Sequence, residues 1–195
     1  MQNQTTQTKG AIVIGASWGG IQALECLLSD LSSPFQLPIL VVLHQERTAR
    51  GGVIEVLNHH SRIPVQEAEE KQPVLPSVVY LAPPNYHLLV EADQTLSLCI
   101  SPKVNYCRPS IDVLFESAAD VYGAHLLGII LTGANDDGAR GTKYIKEQGG
   151  KIIVQSPEEA EMPTMPESAL KITTADFVLS LKLMARKLNE LASHY

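Results

Sequence analysis

The sequence predicts an α/β fold: a doubly wound, mostly parallel sheet with helices on both faces and a short antiparallel meander. Runs of Val, Ile and Leu alternate with amphipathic stretches, the pattern of buried parallel strands joined by helical crossovers. The 195 residues are 45% hydrophobic and 18% charged, as in a folded globular domain with a full core. One domain over residues 10–195 is therefore expected. The polar, Gln- and Thr-rich residues 1–9 are predicted to form a disordered tail.

In the first half of the chain, each predicted element follows from the local pattern. Strands are predicted where apolar residues follow one another, and helices where they recur every three or four positions. Pro-rich and Asp-containing segments mark the turns. These patterns predict strand 11–14, helix 19–31, strand 38–43, a helix near 51–60, and three short strands at 78–82, 87–91 and 96–100. We interpret the last three as the antiparallel meander.

The second half continues the alternation of helices and strands. Proline favours the first turn of one helix, a pair of glycines ends another, and Ser180 is suited to begin the last. The predicted elements are helix 109–119, strand 126–131, helix 136–148, strand 151–154, helix 165–170 and a C-terminal amphipathic helix. Together they extend the parallel sheet of the first half.

A serine follows the first predicted strand at a sharp turn through small residues. Ser17 lies in this turn, His44 ends the second strand, and Asp137 follows the apolar run at 129–133. Carboxyl ends of parallel strands share one edge of the sheet, so these side chains are expected to converge. A serine nucleophile needs a neutral imidazole to take its proton and an acid to orient that imidazole. The backbone N–H of Trp18 and those of loop 133–138 are candidate donors to an oxyanion.

Other interpretations of these residues remain open on sequence alone. A glycine-containing turn after a strand also suits a phosphate or dinucleotide, although the G-x-G-x-x-G spacing is missed here. His44 could be a hydrogen-bonded histidine at a strand end, and Asp137 a simple helix cap. Cys107 lacks a strand-turn-helix setting, so Ser17 is preferred as the nucleophile. No His, Cys or carboxylate spacing resembles a metal site, and neither a metal nor another cofactor is expected.

Charge and apolar patterning exclude several classes of partner. The net charge is −6 and no cluster of Lys and Arg could neutralise a run of phosphates, so nucleic acid is not an expected partner. The apolar runs are too short for membrane insertion, and the first residues lack the apolar segment of a signal peptide. Three cysteines without metal spacing predict a reducing, cytoplasmic environment.

Five separated motifs resemble, in order, the catalytic domain of the chemotaxis receptor methylesterases, the CheB family. The resemblance spans about residues 10–192. The motifs are Gly15-Ala16-Ser17-Trp18-Gly19-Gly20, Val42-Leu43-His44-Gln45, Leu81-Ala82-Pro83-Pro84-Asn85-Tyr86-His87, Arg108-Pro109-Ser110-Ile111-Asp112-Val113-Leu114-Phe115 and Leu131-Thr132-Gly133-Ala134-Asn135-Asp136-Asp137-Gly138-Ala139. Their number and order make the resemblance specific.

The resemblance implies a Ser-His-Asp protein-glutamate methylesterase that hydrolyses glutamate γ-methyl esters on methyl-accepting chemotaxis receptors. Deamidation of receptor glutamines by the same acyl transfer is also implied. The family's nucleophile falls on Ser17, its base on His44 and its orienting acid on Asp137, and an oxyanion donor falls on the Ala134 backbone. Arg108, near this site, could contact acidic receptor residues or form a structural ion pair.

Three departures from the family pattern affect these expectations. Trp18 replaces a small hydroxyl residue and could narrow the cleft, whereas Ala134 replaces a methionine and leaves more room. No receiver domain precedes residue 10, so activation by phosphorylation in cis is not expected. The alternative function is a catalytically weak module that binds receptors or partner proteins on the same fold, with Trp18 blocking the site.

Overall fold

The computed structural model describes residues 8–44 and 52–193. Most of the predicted N-terminal tail, residues 1–7, lies outside the described residues. Disorder of that tail therefore stays a prediction.

Nine strands and six α-helices alternate along the described residues. In chain order they are β1 (Ala11–Ala16), α1 (Gly20–Ser29), β2 (Ile39–Leu43), α2 (Val53–His60), β3 (Val65–Glu67), β4 (Val79–Leu81), β5 (His87–Val90), β6 (Leu96–Cys99), α3 (Ile111–Tyr122), β7 (Leu126–Ile130), α4 (Ala139–Glu147), β8 (Lys151–Gln155), α5 (Thr164–Ile172), β9 (Phe177–Leu179) and α6 (Leu181–Ala192). The longest of these helices have 12 residues. In 8–44 and 52–193, no helix is both long and apolar enough to cross a membrane.

Seven strands form one parallel sheet in the order β3-β4-β2-β1-β7-β8-β9. The central strand β1 pairs with β2 on one side and with β7 on the other. The chain thus winds outward from β1 in both directions, which confirms the predicted doubly wound fold. Ligands of such sheets bind where the winding changes direction, beyond the carboxyl ends of the central strands.

Side chains along β1 alternate between two hydrophobic clusters, one on each face of the sheet. Ile12, Ile14 and Ala16 pack with helices α1 and α6. Ala11 and Val13 pack on the opposite face with α3 and α4. Because helices cover both faces, every residue of β1 is buried, and the strand is a continuous apolar run.

The predicted three-strand meander needs a correction. Only β5 and β6 pair antiparallel, as a separate two-stranded sheet. The segment predicted at 78–82 instead supplies β4, which lies parallel between β2 and β3. All three residues of β4 are buried, so this strand suits a position with neighbours on both sides.

Two further strands, β3 and β9, are absent from the sequence prediction. Each has three residues and lies at an edge of the large sheet. β3 contains the polar residues Gln66 and Glu67, whereas β9 is apolar but only partly buried and only three residues long. Neither strand therefore has the long apolar run that marks the central strands. The helix predicted from residue 136 begins at Ala139, which leaves Asp137 in the loop between β7 and α4.

Candidate active site

The register of two central strands places Ser17 beside His44. Ala16 is opposite Leu43 in the last pair of β1 and β2, and the next residues are Ser17 and His44. The His44 N–H donates to the Ala16 carbonyl at 2.9 Å, and the Ser17 N–H donates to the Thr132 carbonyl at 3.0 Å. Strand pairing therefore holds both residues at the carboxyl edge of the sheet.

Glycine at position 15 allows a helix to begin directly above this edge. A Cβ on Gly15 would lie 2.4 Å from Cγ2 of Ile111, the first residue of α3. Any side chain at this position of β1 would collide with Ile111, so only glycine lets α3 approach so closely. The amino end of α3 therefore lies over the strand that leads to Ser17.

His44 and Asp137 form a direct pair. His44 Nε2 lies 2.9 Å from Asp137 Oδ2, with the histidine side chain 12% exposed and the aspartate fully buried. In a neutral imidazole, the Nε2–H donates to this carboxylate and Nδ1 keeps its lone pair. The pair thus has the hydrogen bond that an orienting acid makes to a base.

Five donors surround the Asp137 carboxylate. They are His44 Nε2 (2.9 Å), Asn105 Nδ2 (3.1 Å), Ser110 Oγ (2.8 Å), the Ile111 N–H (2.7 Å) and the Asp112 N–H (3.3 Å). Burial raises the pKa of Asp137, but hydrogen bonds from His44, Ile111 and Ser110 and the charge of His44 hold it below its ordinary value. The backbone donors belong to the start of α3, where the helix dipole favours an anion.

A second buried carboxylate, Asp112 of α3, accepts hydrogen bonds from the start of α4, just as Asp137 accepts them from the start of α3. Asp112 Oδ1 accepts from the Gly138 N–H at 3.0 Å and the Gly141 N–H at 2.7 Å, at the start of α4. The Asn105 amide bridges the two acids, 2.9 Å from Asp112 and 3.1 Å from Asp137. Burial raises the pKa of Asp112. Each acid thus stabilises the helix start beside the other.

His87 supports this network and lies outside the reacting cluster. Its Nδ1 accepts from the Ser110 N–H at 3.2 Å, and Nε2 donates to the Pro102 carbonyl at 3.1 Å. The ring is fully buried, and burial lowers the pKa of His87. A neutral His87 therefore holds Ser110, which in turn donates to Asp137.

The second ring nitrogen of His44 faces a thiol and an amide. Cys107 Sγ lies 3.8 Å from Nδ1, and Asn135 Nδ2 lies 3.3 Å from the same atom. Burial alone would lower the pKa of His44, but its contacts with Asp137 and Cys107 raise it to about 9. Protonated His44 is therefore the favoured form near neutral pH in the unliganded protein.

Ser17 has no hydrogen bond to His44 in the described part of the chain. Ring nitrogens of unliganded sites often approach their partners only when substrate binds, so the spacing is compatible with catalysis. The N–H groups of Trp18 and Ala134 also donate to none of the described residues. In the described part of the chain both N–H groups therefore lack a protein acceptor, and their role as oxyanion donors stays a prediction.

The side chains of Trp18 and Arg108 are held by neighbouring residues. The Trp18 indole is 61% exposed, and its Nε1–H donates to Glu161 Oε1 at 2.8 Å. Arg108 donates to Asn85 Oδ1 and to the carbonyls of Ile100 and Ser101. Within 8–44 and 52–193, no carboxylate lies at ion-pair distance from Arg108, and the structural ion pair stays a prediction. A substrate contact through Arg108 stays a prediction.

One group of possible metal ligands exists among the described residues, formed by His44, Cys107 and Asp137. Their ligand atoms lie within 4.8 Å of one another. However, Asp137 contacts Nε2 whereas Cys107 contacts Nδ1 on the other side of the ring. One ion cannot bind both nitrogens, so the arrangement suits proton transfer along the ring better than chelation.

Sequence reasoning predicted no contact with His44 or Asp137 for four of the residues that surround them. They are Asn105, Cys107, Asp112 and Asn135. Asn105 and Cys107 come from a tight turn in which Asn105 and Tyr106 have φ of 48° and 62°. Asp112 and Asn135 were named only as parts of family motifs. Their contacts span loops distant in sequence, and no spacing rule predicts them.

The fold and the cluster define a class: doubly wound α/β proteins with serine-hydrolase residue types at the carboxyl edge of the sheet. Within this class, the chain belongs to the CheB methylesterase family, whose sequence model matches residues 12–188. A "putative protein-glutamate methylesterase/protein-glutamine glutaminase" of Leptospira interrogans is 50% identical over 175 residues. That match covers 90% of this chain and 91% of the relative.

Two further comparisons agree with this family. A protein-glutamate methylesterase/protein-glutamine glutaminase of Geobacter metallireducens is 38% identical over 93% of this chain, which spans 53% of that relative. The crystal structure of the Thermotoga maritima CheB methylesterase catalytic domain matches with a TM-score of 0.89 and 34% identity. This match covers 93% of the chain and 98% of the solved domain, so the fold is that of a CheB catalytic domain.

Proposed function

We propose that the chain is a protein-glutamate methylesterase that hydrolyses glutamate γ-methyl esters on chemoreceptors, with Ser17, His44 and Asp137 as its catalytic residues. The observation that carries the proposal is the 2.9 Å pair between His44 and Asp137 at the strand end beside Ser17. Membership of the CheB methylesterase family and the names of the similar proteins support the substrate class.

The reaction begins at Nδ1 of His44, the ring nitrogen that does not contact Asp137. Nε2 is engaged by Asp137, so Nδ1 of neutral His44 takes the proton as Ser17 Oγ attacks the ester carbonyl. The imidazolium then gives that proton to the departing methanol. Water, activated by the same nitrogen, hydrolyses the acyl-enzyme and leaves glutamate. Asp137 keeps the ring oriented and stabilises its positive charge throughout.

The tetrahedral intermediate needs donors near Ser17. The N–H groups of Trp18 and Ala134 donate to none of the described residues, which makes them available to an oxyanion. Replacing the usual residues by Trp18 and Ala134 changes side chains and leaves both N–H groups in place. Loss of one such donor typically costs about 10²–10³ in rate.

The partners follow from the reaction. The substrate is a glutamate side chain on the cytoplasmic helices of a methyl-accepting chemotaxis receptor, and the chain acts in the cytoplasm. Residues 10–195 form the catalytic domain. Deamidation of receptor glutamine is a second reaction of the same centre, since ammonia can replace methanol as the leaving group. The relatives' names combine both activities.

Replacement of the nucleophile tests this proposal. Methanol release from methylated receptor should fall by about 10⁴-fold or more in Ser17→Ala. Ser29→Ala is a matched control, because its hydroxyl on α1 only donates to the Cys26 carbonyl, and it should keep the wild-type rate. Activity of Ser17→Ala within tenfold of wild type would contradict the mechanism.

A second candidate function is a receptor-binding module with little or no turnover. It is favoured by the missing hydrogen bond between Ser17 and His44 and by the bulk of the neighbouring Trp18. A serine-directed fluorophosphonate separates the two functions. Labelling of Ser17 that requires His44 supports the esterase, whereas an unlabelled Ser17 together with stoichiometric receptor binding supports the module.

A further inference from the structure

A thiol shares the catalytic imidazole with Ser17. Cys107 Sγ lies 3.8 Å from His44 Nδ1 and 3.6 Å from Asn135 Nδ2. On the opposite side of the ring, Nε2 is paired with Asp137. Cys107, His44 and Asp137 therefore form a continuous thiol–imidazole–carboxylate series, independent of where the Ser17 hydroxyl points.

A tight turn brings this thiol to the ring. Val104 and Cys107 exchange two backbone hydrogen bonds, of 3.1 and 2.8 Å. Asn105 and Tyr106 lie between them with positive φ, which is the geometry of a type I′ turn. The apex residue Tyr106 is 93% exposed and Cys107 is half-buried. The sulfur is thus held against His44, on a residue that is only partly buried.

The other two cysteines lack this setting. Cys26 is exposed on α1 and Cys99 lies on β6. Among the described residues, neither belongs to a cluster with a histidine and a carboxylate. A base beside a thiol can accept its proton as the sulfur attacks, which favours reaction at that thiol. The contact with Cys107 also raises the pKa of His44, which agrees with proton transfer from sulfur to ring.

We propose that Cys107 is a site of reversible S-thiolation by low-molecular-weight disulfides, and that the modified chain loses its hydrolase activity. Its effect on hydrolysis rests on the proposed function, whereas the reactivity of the thiol does not. In its neutral form, His44 takes the thiol proton on Nδ1, and Cys107 Sγ attacks one sulfur of the disulfide. A new S–S bond forms as the old one breaks, and the leaving thiolate receives the proton from the imidazolium. Cys107 is oxidised and the departing half is reduced, so no other co-reactant is needed.

Inactivation follows from where the added group would lie. Since Asp137 occupies Nε2, Nδ1 is the nitrogen that must reach the Ser17 hydroxyl. A group attached to a sulfur 3.8 Å from Nδ1 takes the space through which serine and substrate approach. It also removes the thiol hydrogen bond to the ring. A dithiol reductant reverses both effects by the same exchange.

Labelling of the full chain with glutathione disulfide tests the proposal. The double variant Cys26→Ser/Cys99→Ser leaves Cys107 as the single thiol, and mass spectrometry gives its labelling rate. Adding His44→Gln should slow this labelling by about tenfold, because the base beside the sulfur is gone. Circular dichroism checks that the variant folds. As a measurement that needs no histidine variant, Cys107 should also react about tenfold faster than Cys26 in the wild-type chain.

Methyl-ester hydrolysis is measured on the same samples. Activity of the double variant should fall in step with labelling of Cys107 and return with dithiothreitol. Cys107→Ser should keep its own untreated rate in the presence of glutathione disulfide. Labelling that ignores His44, or full activity with Cys107 fully labelled, would overturn the proposal. The mass measurement stays informative even if the chain fails to hydrolyse esters, so failure of this proposal and of the proposed function are distinguishable.

Discussion

The two edges of the parallel sheet differ in what they enclose and in the chemistry they carry. At the amino edge, a cavity of about 430 Å³ is lined mainly by apolar side chains such as Leu37, Leu126 and Leu188, with Lys9 and Lys151 beside them. At the carboxyl edge, His44 is paired with Asp137, and Ser17 follows the neighbouring strand beside exposed Trp18. This apolar cavity lies at the opposite edge of the sheet from His44 and Asp137. It is larger than a second cavity of about 310 Å³ beside Asn105, Asp112 and Asp136.

This difference teaches that cavity volume is a poor guide to the reacting centre here. Pocket size matters for a small ligand that must be enclosed. The proposed substrate, a glutamate side chain on a receptor helix, remains attached to a large protein and does not need to be enclosed in a cavity. In the proposed mechanism, hydrogen bonds around Asp137 hold the carboxylate that stabilises the positive charge of His44, and no deep cavity is needed for this.

The largest effect should come from the acid at the carboxyl edge. Asp137→Asn should lower kcat/KM for methyl-ester hydrolysis by about 10⁴-fold, because an amide stabilises neither the required tautomer nor the imidazolium. The exposed neighbour Asp136→Asn is a matched control and should stay close to wild type. A folded Asp137→Asn variant with nearly full activity would break the assignment of chemistry to this edge.

The pH dependence of activity sharpens the comparison further. Because the pKa of His44 is raised to about 9, kcat/KM should rise about tenfold per pH unit from neutral pH and level off near that value. Cys107→Ser removes a contact that raises this pKa, so its plateau should begin at lower pH. The measurement is a profile of kcat/KM against pH for both proteins, and a flat profile above neutral pH would contradict the expectation.

The same pKa has a consequence for stability with a defined sign. Since the folded value exceeds the ordinary 6.5, protonated His44 stabilises the fold below that pH. This contribution is lost as pH rises toward about 9. The pKa of Asp137 shifts downward, so its contribution is present above the ordinary 3.8 and lost as pH falls through its folded value. Thermal unfolding between neutral and alkaline pH, compared with His44→Gln, measures the first effect.

A smaller effect is expected from the second buried acid. Asp112→Asn would present an amide N–H₂ to the donating amide of Asn105, and so would disturb the position of Asp137. We expect a decrease in kcat/KM of about tenfold with KM little changed. The control is Glu116→Gln. Glu116 lies on α3, as Asp112 does, and its carboxylate is paired with Arg140 of α4. Equal effects of the two substitutions would assign Asp112 a structural role only.

The smallest effect on activity should come from the amino edge. Leu188 is fully buried on α6 and lines the larger cavity. Leu188→Ala should reduce the free energy of unfolding by about 2–5 kcal/mol, as in other buried leucines. Urea denaturation measures this loss, and the folded variant should keep kcat/KM within about twofold of wild type. A large loss of kcat/KM in the folded variant would show that packing at the amino edge affects the chemistry at the carboxyl edge, which would contradict the comparison.

The central strands and the three proposed catalytic residues could be predicted from local pattern. β1, β2 and β7 are continuous apolar runs, and each leads directly to Ser17, His44 or the loop with Asp137. The edge strands β3 and β9 have only three residues each, too few to show such a pattern. The network around Asp137 depends on a turn with positive φ at Asn105 and on contacts between two helix starts. Those features arise from tertiary packing, which residue spacing does not express.

The reciprocal contact between Asp112 and Asp137 has a consequence for how this protein fails when heated. Asp137 accepts a hydrogen bond from the first turn of α3, and Asp112 of α3 accepts hydrogen bonds from the start of α4. We therefore expect α3 and α4 to unfold together. Fraying of either helix would withdraw the partner of His44 at the same moment. Catalytic competence and local order should therefore disappear together, and thermal inactivation should report the melting of this pair of helices directly.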